Sequence, residues 1–590
     1  MANLVVAEFS KPETFDFVIV GAGAAGCVLA SRLSALPHAP SVCLIERGPS
    51  HTDNRWNVAM PLGYRYNLSF ANQPDMWLRT LSVPVKQLNG RRLECARGSG
   101  WGGGSIANGM AFVRGQPDDF DNWAKEHFCA ERWSFEQCLP YFKRIESYSP
   151  GIEEADAIDY DAEMECMNRI PEYRGSEGPM SVVNGRVLNR KFSKCPYSPA
   201  FIRAGIQAGH KYNPDSNDAT QEGVGWMDWN ISDVSGLRQS TSRCYLLPAL
   251  SRKNLTVISN AFVSRVVLED KRAVGVEFYD TKGNEHIVKA RKEIILSAGA
   301  LSSPQILMLS GIGDPAELRK VGIDPIHELP GVGCTMQDHT LLVLNYETRR
   351  PEFSYPHCDW KTINTEWTDR VRTRWETSKD GPGVTAFMET TMHFKTNAHV
   401  RTPNMKVAIL NLRPEAQPNG ALHFKPGMSA YFHNQRPLSE GSLKLFSKSP
   451  YDDPIIELNY FTEQSEIREF IDGVNIVRNV LSQPALAEYI GQELFPGAQV
   501  SSDAELEKFI RSTAKSGYHW TGTCRMGDPD AAPTPEAARK LVVDAELRVC
   551  GLSGLRVVDA SVMPSITSAN IHANVLMIAE RASDFIADFI

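Results

Sequence analysis

The sequence lacks the marks of several protein classes. Its 590 residues carry a net charge of −8, so there is no basic excess to neutralise phosphates, and we expect no nucleic-acid partner. No C-x-x-C occurs, and the 12 cysteines and 14 histidines are scattered without zinc-ligand spacing. We therefore expect no metal site, no disulfide scaffold and a reducing compartment.

Long apolar runs are also missing. The longest, residues 17–30, is interrupted by glycines and is shorter than the roughly 20 residues of a membrane span, which predicts no transmembrane segment. The N-terminal stretch has no basic region ahead of an apolar run, and the final residues, ADFI, are not a peroxisomal address. A cytoplasmic location is the resulting expectation, and the sequence predicts no particular oligomeric state.

The first informative feature is a glycine motif that follows an apolar strand. The β-rich run 15–20 precedes G-x-G-x-x-G at Gly21, Gly23 and Gly26, and apolar residues then recur at helical spacing. Gly21 permits a tight turn, Gly23 lets backbone approach a pyrophosphate, and Gly26 lets helix and strand pack closely. A second strand ends about 20 residues later at Glu46, which favours an unphosphorylated ribose. The pattern predicts a Rossmann-type dinucleotide site and leaves the choice between FAD and NAD open.

Further motifs follow in order along the chain. A glycine-rich stretch with interleaved apolar residues suits backbone that packs against a flat ring. The motifs are RGSGWGGGSIANGMAFVRG (97–115), EIILSAGALSSPQILMLSGIG (293–313), GVGCTMQDH (331–339), SGYHWTGTCRMG (516–527) and a strand, an aspartate and a final helix in 554–586.

This ordered set resembles the glucose-methanol-choline (GMC) family of FAD-dependent oxidoreductases, from about Phe15 to Ile586. Residues 345–440 contain no motif that matches. The resemblance implies FAD as the cofactor and an α/β, two-lobe (α+β) fold. A Rossmann-like FAD-binding domain is expected from residues 1–155, 225–335 and 540–590. A substrate-binding domain with an antiparallel sheet is expected from residues 156–224 and 336–539.

The resemblance also implies cofactor-binding residues. Those at the ADP end are Gly21, Gly23, Ala24, Ala25, Gly26 and Glu46, with the adenine near the backbone of Val263. Those in the loop over the isoalloxazine are Trp101, Gly103, Ser105, Asn108, Met110 and Ala111, and those near the ribityl and pyrophosphate groups are Asp559 and Ala560. Some relatives attach FAD through a histidine at the position of Ala107, so here we expect non-covalent FAD.

Two histidines fall on catalytic positions of the family. His519 coincides with the family's catalytic histidine, and His572 falls where relatives have Asn or His. They resemble the His/His pair of glucose oxidase and aryl-alcohol oxidase, whereas the Asn variant belongs to the choline enzymes. A neutral imidazole is well matched to removing a hydroxyl proton near pH 7. We expect His519 as the general base and His572 as the partner that orients the alkoxide, although the sequence does not decide which takes the proton.

The implied activity is oxidation of a primary alcohol to the aldehyde, with hydride transfer to flavin N5 and reoxidation by O2 or another acceptor. Four aromatic residues either favour an apolar or aromatic alcohol or serve packing: Trp101, Phe112, Tyr518 and Trp520. Two other activities of the family stay open as alternatives. A hydroxynitrile lyase would keep FAD without reducing it, and a fatty-acid photodecarboxylase is disfavoured because that branch lacks the histidine at the position of His519.

Overall fold

The structure is a computed structural model that describes residues 13–50, 52–64, 74–151, 157–354, 366–416 and 422–588. Two seven-stranded sheets organise it, and we call them the first and second sheets. The strands of the first sheet are, in spatial order, Leu255–Ile258, Val42–Ile45, Glu13–Val20, Glu285–Leu296, Arg272–Tyr279 and Phe262–Glu269, with Leu555–Val557 added beside Glu285–Leu296.

The first sheet is parallel around the strand that precedes the glycine motif. The strand Glu13–Val20 pairs in parallel with Val42–Ile45 and with Glu285–Leu296. All four residues of Val42–Ile45 are buried, as expected for a parallel strand that is covered on both faces. Leu255–Ile258 and Leu555–Val557 also pair in parallel, and the last two strands, Arg272–Tyr279 and Phe262–Glu269, form an antiparallel extension.

The second sheet is antiparallel throughout. Its strands are, in spatial order, Ile490–Phe495, Thr340–Thr348, Met428–Asn434, Met405–Leu410, Met388–Phe394 and Gly223–Trp226, with Lys515–Ser516 added beside Thr340–Thr348. The first sheet draws only on segments that the sequence assigned to the FAD-binding domain. One strand of the second sheet, Gly223–Trp226, lies across the boundary predicted between residues 224 and 225.

Short sheets and helices complete the architecture. The short strands are Trp77–Leu81, Glu94–Gly98, Glu146–Ser149, Met180–Asn184, Asp228–Trp229, Ile231–Ser232, Leu237–Arg238, Ile312–Gly313, His327–Glu328, Arg413–Ala416, Leu422–Lys425, Ser442–Lys444 and Ile455–Glu457. The α-helices are Ala24–Leu33, Trp56–Ala59, Pro117–Lys125, Phe135–Ile145, Tyr160–Tyr173, Gly185–Leu188, Tyr197–Gln207, Leu247–Ala249, Ser302–Leu309, Pro315–Lys320, Glu366–Ser378, Gln464–Leu481, Asp503–Thr513, Pro535–Arg539 and His572–Asp588. Within the ranges that the structure describes, no helix has the length and apolar character needed to cross a membrane.

A buried carboxylate joins the first and last helices of the chain. Glu580 accepts two hydrogen bonds from Arg32, at 2.8 and 2.9 Å, and one from the hydroxyl of Tyr245 at 2.8 Å. Arg144 approaches the same carboxylate at 2.8 Å. Because a buried charge is tolerated only when it is paired, this cluster ties the final helix to the helix that follows the glycine motif.

The third motif glycine has no room for a side chain. A Cβ on Gly26 would lie 1.9 Å from the carbonyl oxygen of Gly21, far inside van der Waals contact. This is the close helix–strand packing for which the motif requires glycine.

We therefore predict that Gly26→Val destabilises the protein by about 3 kcal/mol, because the turn at Gly21 would have to move. Thermal unfolding of the purified proteins measures this as a lower Tm. Ser31→Ala, on the same helix but without a tight contact, is the matched control and should keep the wild-type Tm. An unchanged Tm in the valine variant would contradict the packing argument.

Candidate active site

One cavity of about 520 Å³ is lined by residues of both large sheets and collects most of the predicted site. Both predicted histidines line it, and so do all but two of the predicted cofactor-binding residues. Those that line it are Gly21, Gly23, Ala24, Ala25, Glu46, Gly103, Ser105, Asn108, Met110, Ala111, Val263, Asp559 and Ala560.

The two exceptions lie behind the cavity wall. Gly26 packs against backbone as described above, and Trp101 is buried with its indole nitrogen donating to a serine hydroxyl at 2.9 Å. Of the aromatic residues considered for substrate contact, Trp101 and Phe112 are packed in the core. Tyr518 and Trp520 line the cavity.

The glycine motif leaves unfilled hydrogen-bond donors at the cavity. Helix Ala24–Leu33 starts at Gly23 without a side-chain cap, so its first N–H groups are available to an anion. A Cβ on Gly103 would lie 2.7 Å from the Cα of Gly23, which shows that the two glycine-rich loops meet through backbone alone. A dinucleotide pyrophosphate fits a site built in this way.

Two buried carboxylates flank that end of the cavity. Glu46 accepts hydrogen bonds from three backbone N–H groups at 2.7–3.1 Å. Asp559 accepts from two backbone N–H groups at 2.8 Å and from the hydroxyl of Ser303 at 2.5 Å. Burial raises the pKa of both carboxyls, and the hydrogen bonds act in the opposite direction. Each is oriented by backbone, so it can present its remaining lone pairs to a ligand.

A buried arginine positions the loop that carries the flavin-contact residues. The Arg238 guanidinium donates to the carbonyls of Ser105 at 3.2 Å and Asn108 at 2.8 Å, and to the carbonyl of Val58 at 2.9 Å. It also donates to the amide oxygen of Asn108 at 3.0 Å. The loop is therefore held from behind by one side chain that the cavity does not expose.

The motif GVGCTMQDH pairs with the segment that contains His519. Backbone hydrogen bonds join Gln337 to Thr521 in both directions, at 3.0 and 3.1 Å. Asp338 accepts from the backbone N–H of His519 at 2.7 Å and from the hydroxyl of Ser516 at 2.5 Å. The Tyr460 hydroxyl donates to the same carboxylate. Burial raises the pKa of Asp338 to about 6, and these donors oppose that effect.

The ring of His519 belongs to a row of hydrogen-bonded groups. His339 Nε2 lies 3.3 Å from the carbonyl oxygen of Gln435, and the Nδ1 atoms of His339 and His519 lie 2.9 Å apart. On the other side, the His519 Nε2 atom lies 3.3 Å from the amide nitrogen of Asn570. The amide oxygen of Asn570 accepts from the Lys406 amine at 2.7 Å. We call these five groups the hydrogen-bonded row.

The two ends of the hydrogen-bonded row fix the tautomer of His519. A carbonyl oxygen can only accept, so the proton of neutral His339 lies on Nε2 and its Nδ1 is an acceptor. His519 must then donate from Nδ1, which leaves Nε2 unprotonated. From the other end, the Lys406 amine donates to the amide oxygen of Asn570, so the NH2 group of Asn570 points at that same unprotonated Nε2.

Burial keeps these imidazoles neutral. It lowers the pKa of His339 to about 3, and it lowers that of His519 well below 6.5, with further lowering from the nearby His339 and Lys406. His433 stacks on His339 with ring centroids 4.9 Å apart, and its pKa is also well below 6.5 because it is buried. Lys406 is 2% exposed, and burial lowers its pKa to about 7. His519 is thus neutral at neutral pH, and its Nε2 atom carries a free lone pair.

The structure gives His519 a different partner from the one expected. The sequence suggested His572, but Asn570 lies within hydrogen-bond distance of His519, and no described contact joins the two histidines. His572 is the first residue of the helix His572–Asp588, whereas Asn570 lies two residues earlier in the preceding loop. His572 still lines the cavity, and its Nε2 atom has no hydrogen-bond partner among the described residues. Burial lowers its pKa to about 4.

Two buried side chains anchor the loop that carries Asn570. Asp119 accepts from the backbone N–H and the hydroxyl of Ser568, at 2.9 and 2.5 Å. The amide oxygen of Gln337 accepts from the N–H of Ile566 at 3.0 Å. The loop is therefore tied to the same segment that positions His519.

Sequence reasoning missed four residues of this site. His339 is the last residue of the motif GVGCTMQDH, and Asn570 lies two residues before His572 in the stretch 554–586. Their positions in these motifs could have identified both residues. Lys406 falls in the stretch without a recognised motif, and Arg238 falls between motifs. No local sequence pattern marked Lys406 or Arg238. Strand register places Lys406 at the cavity, and loop packing places Arg238 behind the glycine-rich loop.

Comparisons with known proteins identify related sequences over nearly the whole chain. The family models for the N- and C-terminal parts of the GMC oxidoreductases match residues 15–341 and 437–579. Oxygen-dependent choline dehydrogenase 1 of Chromohalobacter salexigens is 38% identical over 581 residues, which cover 98% of this chain and 95% of that protein. Pyridoxine 4-oxidase from Mesorbium loti has a TM-score of 0.79 and 29% identity, covering 96% of this chain and 98% of that one. Formate oxidase has a TM-score of 0.84 at 22% identity, with coverage of 98% and 99%.

We predict that Arg238→Met lowers the flavin content of the purified protein, because the loop carbonyls at Ser105 and Asn108 lose their donor. The ratio of flavin absorbance to protein absorbance measures the content. Arg243→Met is the matched control, since Arg243 donates to the carbonyl of Asp53 and makes no hydrogen bond to this loop. Wild-type flavin content in the Arg238 variant would show that the loop holds its shape without the guanidinium.

Proposed function

The chain belongs to the GMC oxidoreductase family, and on that basis we propose that it oxidises a primary alcohol to the aldehyde, with His519 removing the hydroxyl proton. Membership confirms the predicted family, the two-lobe fold and FAD as the cofactor. The enzyme is an FAD-dependent alcohol oxidoreductase.

FAD would occupy the cavity that both sheets line. The motif from Gly21 to Ala25 and the uncapped helix start would hold the pyrophosphate, and Glu46 would hold the ADP ribose. The backbone near Val263 would meet the adenine. The remaining contacts would come from Gly103, Ser105, Asn108, Met110 and Ala111 around the ring and from Asp559 and Ala560 along the ribityl chain. Ala107 has no side-chain group able to bond to the ring, which supports non-covalent FAD.

When bound, FAD supplies the acceptor for the hydride that leaves the alcohol carbon, and O2 or another acceptor then takes the electrons. The protein has to supply a base for the hydroxyl proton. His519 Nε2 is suited to that task because the hydrogen-bonded row leaves it unprotonated and the burial of the ring keeps it neutral. This fixed tautomer is the observation that carries the proposal.

Asn570 is proposed to orient the substrate oxygen. Its amide nitrogen lies 3.3 Å from His519 Nε2, a long hydrogen bond that a substrate hydroxyl can replace. The hydroxyl would accept from the amide and donate to the imidazole. As the proton moves to Nε2, the amide N–H and the nearby Lys406 amine stabilise the negative charge that develops on oxygen. His572 also lines the cavity, and its Nε2 atom, which has no described hydrogen-bond partner, would be available to the bound FAD.

Oxidation is supported over the alternative activities. Choline dehydrogenase and pyridoxine 4-oxidase are named for alcohol oxidation, and each resembles this chain along nearly its full length. A base for a hydroxyl proton would serve a hydroxynitrile lyase equally well, so the preference for oxidation over cleavage rests on these relatives; the photodecarboxylase is disfavoured because that branch lacks a histidine at the position of His519. The apolar or aromatic preference proposed from the sequence is supported by Tyr518 and Trp520 in the cavity wall.

We predict that His519→Ala binds FAD normally but slows flavin reduction by alcohol by about 10²- to 10⁴-fold, because no other imidazole among the described residues hydrogen-bonds to Asn570. Anaerobic stopped-flow absorbance measures the rate, and the flavin content is checked on the same sample. His399→Ala, an exposed histidine away from the cavity, is the control. Wild-type reduction rates in the His519 variant would remove this residue from the mechanism.

We further predict that replacing Asn570 slows flavin reduction more than replacing His572 does. Asn570→Ala should lower the reduction rate by about 10²- to 10³-fold, as expected when an oxyanion donor is removed. His572→Ala should lower it by about tenfold or less, the value of one hydrogen bond, since it does not contact His519. The same stopped-flow assay compares them. The reverse order of effects would restore His572 as the partner of the base.

A further inference from the structure

Lys406 is a buried amine without an acidic partner. It lies on the strand Met405–Leu410, lines the cavity and is 2% exposed. Its only described hydrogen bond goes to the amide oxygen of Asn570, and none of the described carboxylates forms an ion pair with it. Lysine is seldom buried unless it is paired, and the spare donors of this amine point to a missing acceptor.

The side chains beside Lys406 are basic or neutral. In the second sheet His393 lies opposite it on one neighbouring strand and His433 on the other. Directly opposed residues share a face of a sheet, so the three nitrogen-bearing side chains form one patch. Burial holds the pKa of both histidines well below 6.5, so the amine is the only charge in this patch.

Carboxylates line the cavity only at its dinucleotide end, among the described residues. They are Glu46 and Asp559, and each is already held by three hydrogen bonds. A quaternary ammonium group near Asn570 would therefore meet no described counter-ion and would lie close to Lys406. This environment is unfavourable for choline, the alcohol named in the related dehydrogenases.

We propose that Lys406 determines substrate specificity: the site accepts an alcohol that carries an anionic oxygen group close to its hydroxyl-bearing carbon, and it rejects cationic alcohols such as choline. This inference rests on the proposed function, since it names the substrate class of the same site. The hydroxyl would lie at His519 and Asn570, and the anionic group would take the spare donors of the lysine. Tyr518 and Trp520 allow the carbon skeleton between them to be aromatic.

Binding of unreactive analogues tests the inference without requiring turnover. Benzoate, benzamide and benzylammonium have similar size and differ in charge, and each is titrated into the FAD-loaded enzyme while the flavin spectrum is followed. We expect benzoate to bind at least about tenfold tighter than benzamide, and benzylammonium at least about tenfold weaker. Benzoate binding no tighter than benzamide would overturn the proposal.

The variant Lys406→Met distinguishes a role of the lysine in substrate specificity from a role in positioning Asn570. Methionine has a similar length without the charge, and removing an unpaired buried amine should not prevent folding. We expect the benzoate-to-benzamide affinity ratio to fall to about one. If Lys406 only orients Asn570, its replacement should instead lower the affinities for benzoate and benzamide together and leave their ratio unchanged. That result would refute the specificity role. Lys395→Met, at the end of the neighbouring strand and outside the cavity lining, is the control and should keep the wild-type ratio.

The pH dependence provides a further readout. Because burial lowers the pKa of Lys406 to about 7, the benzoate affinity of the wild type should fall as pH rises above about 7, where the amine loses its charge. The facing imidazoles of His339, His393, His433 and His519 are neutral throughout this range, and benzoate keeps its charge. Lys406→Met should show a flat profile. A sloping profile in that variant would assign the titration to another group and contradict the proposal.

Flavin reduction by choline and by its uncharged carbon isostere, dimethylbutanol, completes the test. The wild type should reduce flavin at least about tenfold more slowly with choline, and Lys406→Met should narrow that difference. Equal rates in the wild type would overturn the rejection of cations. If no alcohol reduces the flavin, the proposed function fails, whereas the benzoate titrations still decide the role of Lys406.

Discussion

The hydrogen-bonded row from the Gln435 carbonyl to the Lys406 amine is the constraint on which the rest of the site depends. Lys406 comes from a strand of the second sheet and the other four members come from four separate loops, yet together they allow only one arrangement of protons. The reason is that one end can only accept and the other donates, so each intervening group has its orientation fixed. A solvated histidine would exchange tautomers freely; this one presents the same basic nitrogen to the cavity.

Much of the surrounding structure keeps that row in place. Asp338 holds the backbone at His519, Asp119 holds the loop of Asn570, and Arg238 holds the glycine-rich loop from behind. Each of these buried charges has several hydrogen-bond partners, which offsets the cost of removing it from water. Lys406 differs, because it has a single partner and no counter-ion. Asp338 and Asp119 are thus satisfied by protein groups, whereas the Lys406 amine keeps spare donors where a substrate would enter.

Family membership and the charge at the substrate end are separate features of this enzyme. Choline dehydrogenases share more than a third of its residues in the matched regions, and family membership shows the fold and the FAD cofactor. The charge at the substrate end follows from one position on one strand. We propose that reaction type and substrate class are carried by different parts of the molecule, since the proposed base His519 lies on a loop within a family motif and Lys406 lies on a strand without a motif.

The sequence by itself determined the features that depend on local geometry. The dinucleotide site could be predicted from spacing alone because its residues belong to one local strand–helix–strand unit. They are Gly21, Gly23 and Gly26 at the turn and Glu46 directly after the second strand. The sequence predicted His572 as the partner of His519 and did not single out Asn570, two residues earlier in the same stretch, whose amide nitrogen lies 3.3 Å from His519 Nε2. The tertiary structure alone decided that His339, Asn570 and Lys406 meet at His519. These residues are far apart in the chain, and only strand register and loop packing bring their hydrogen-bonding atoms together.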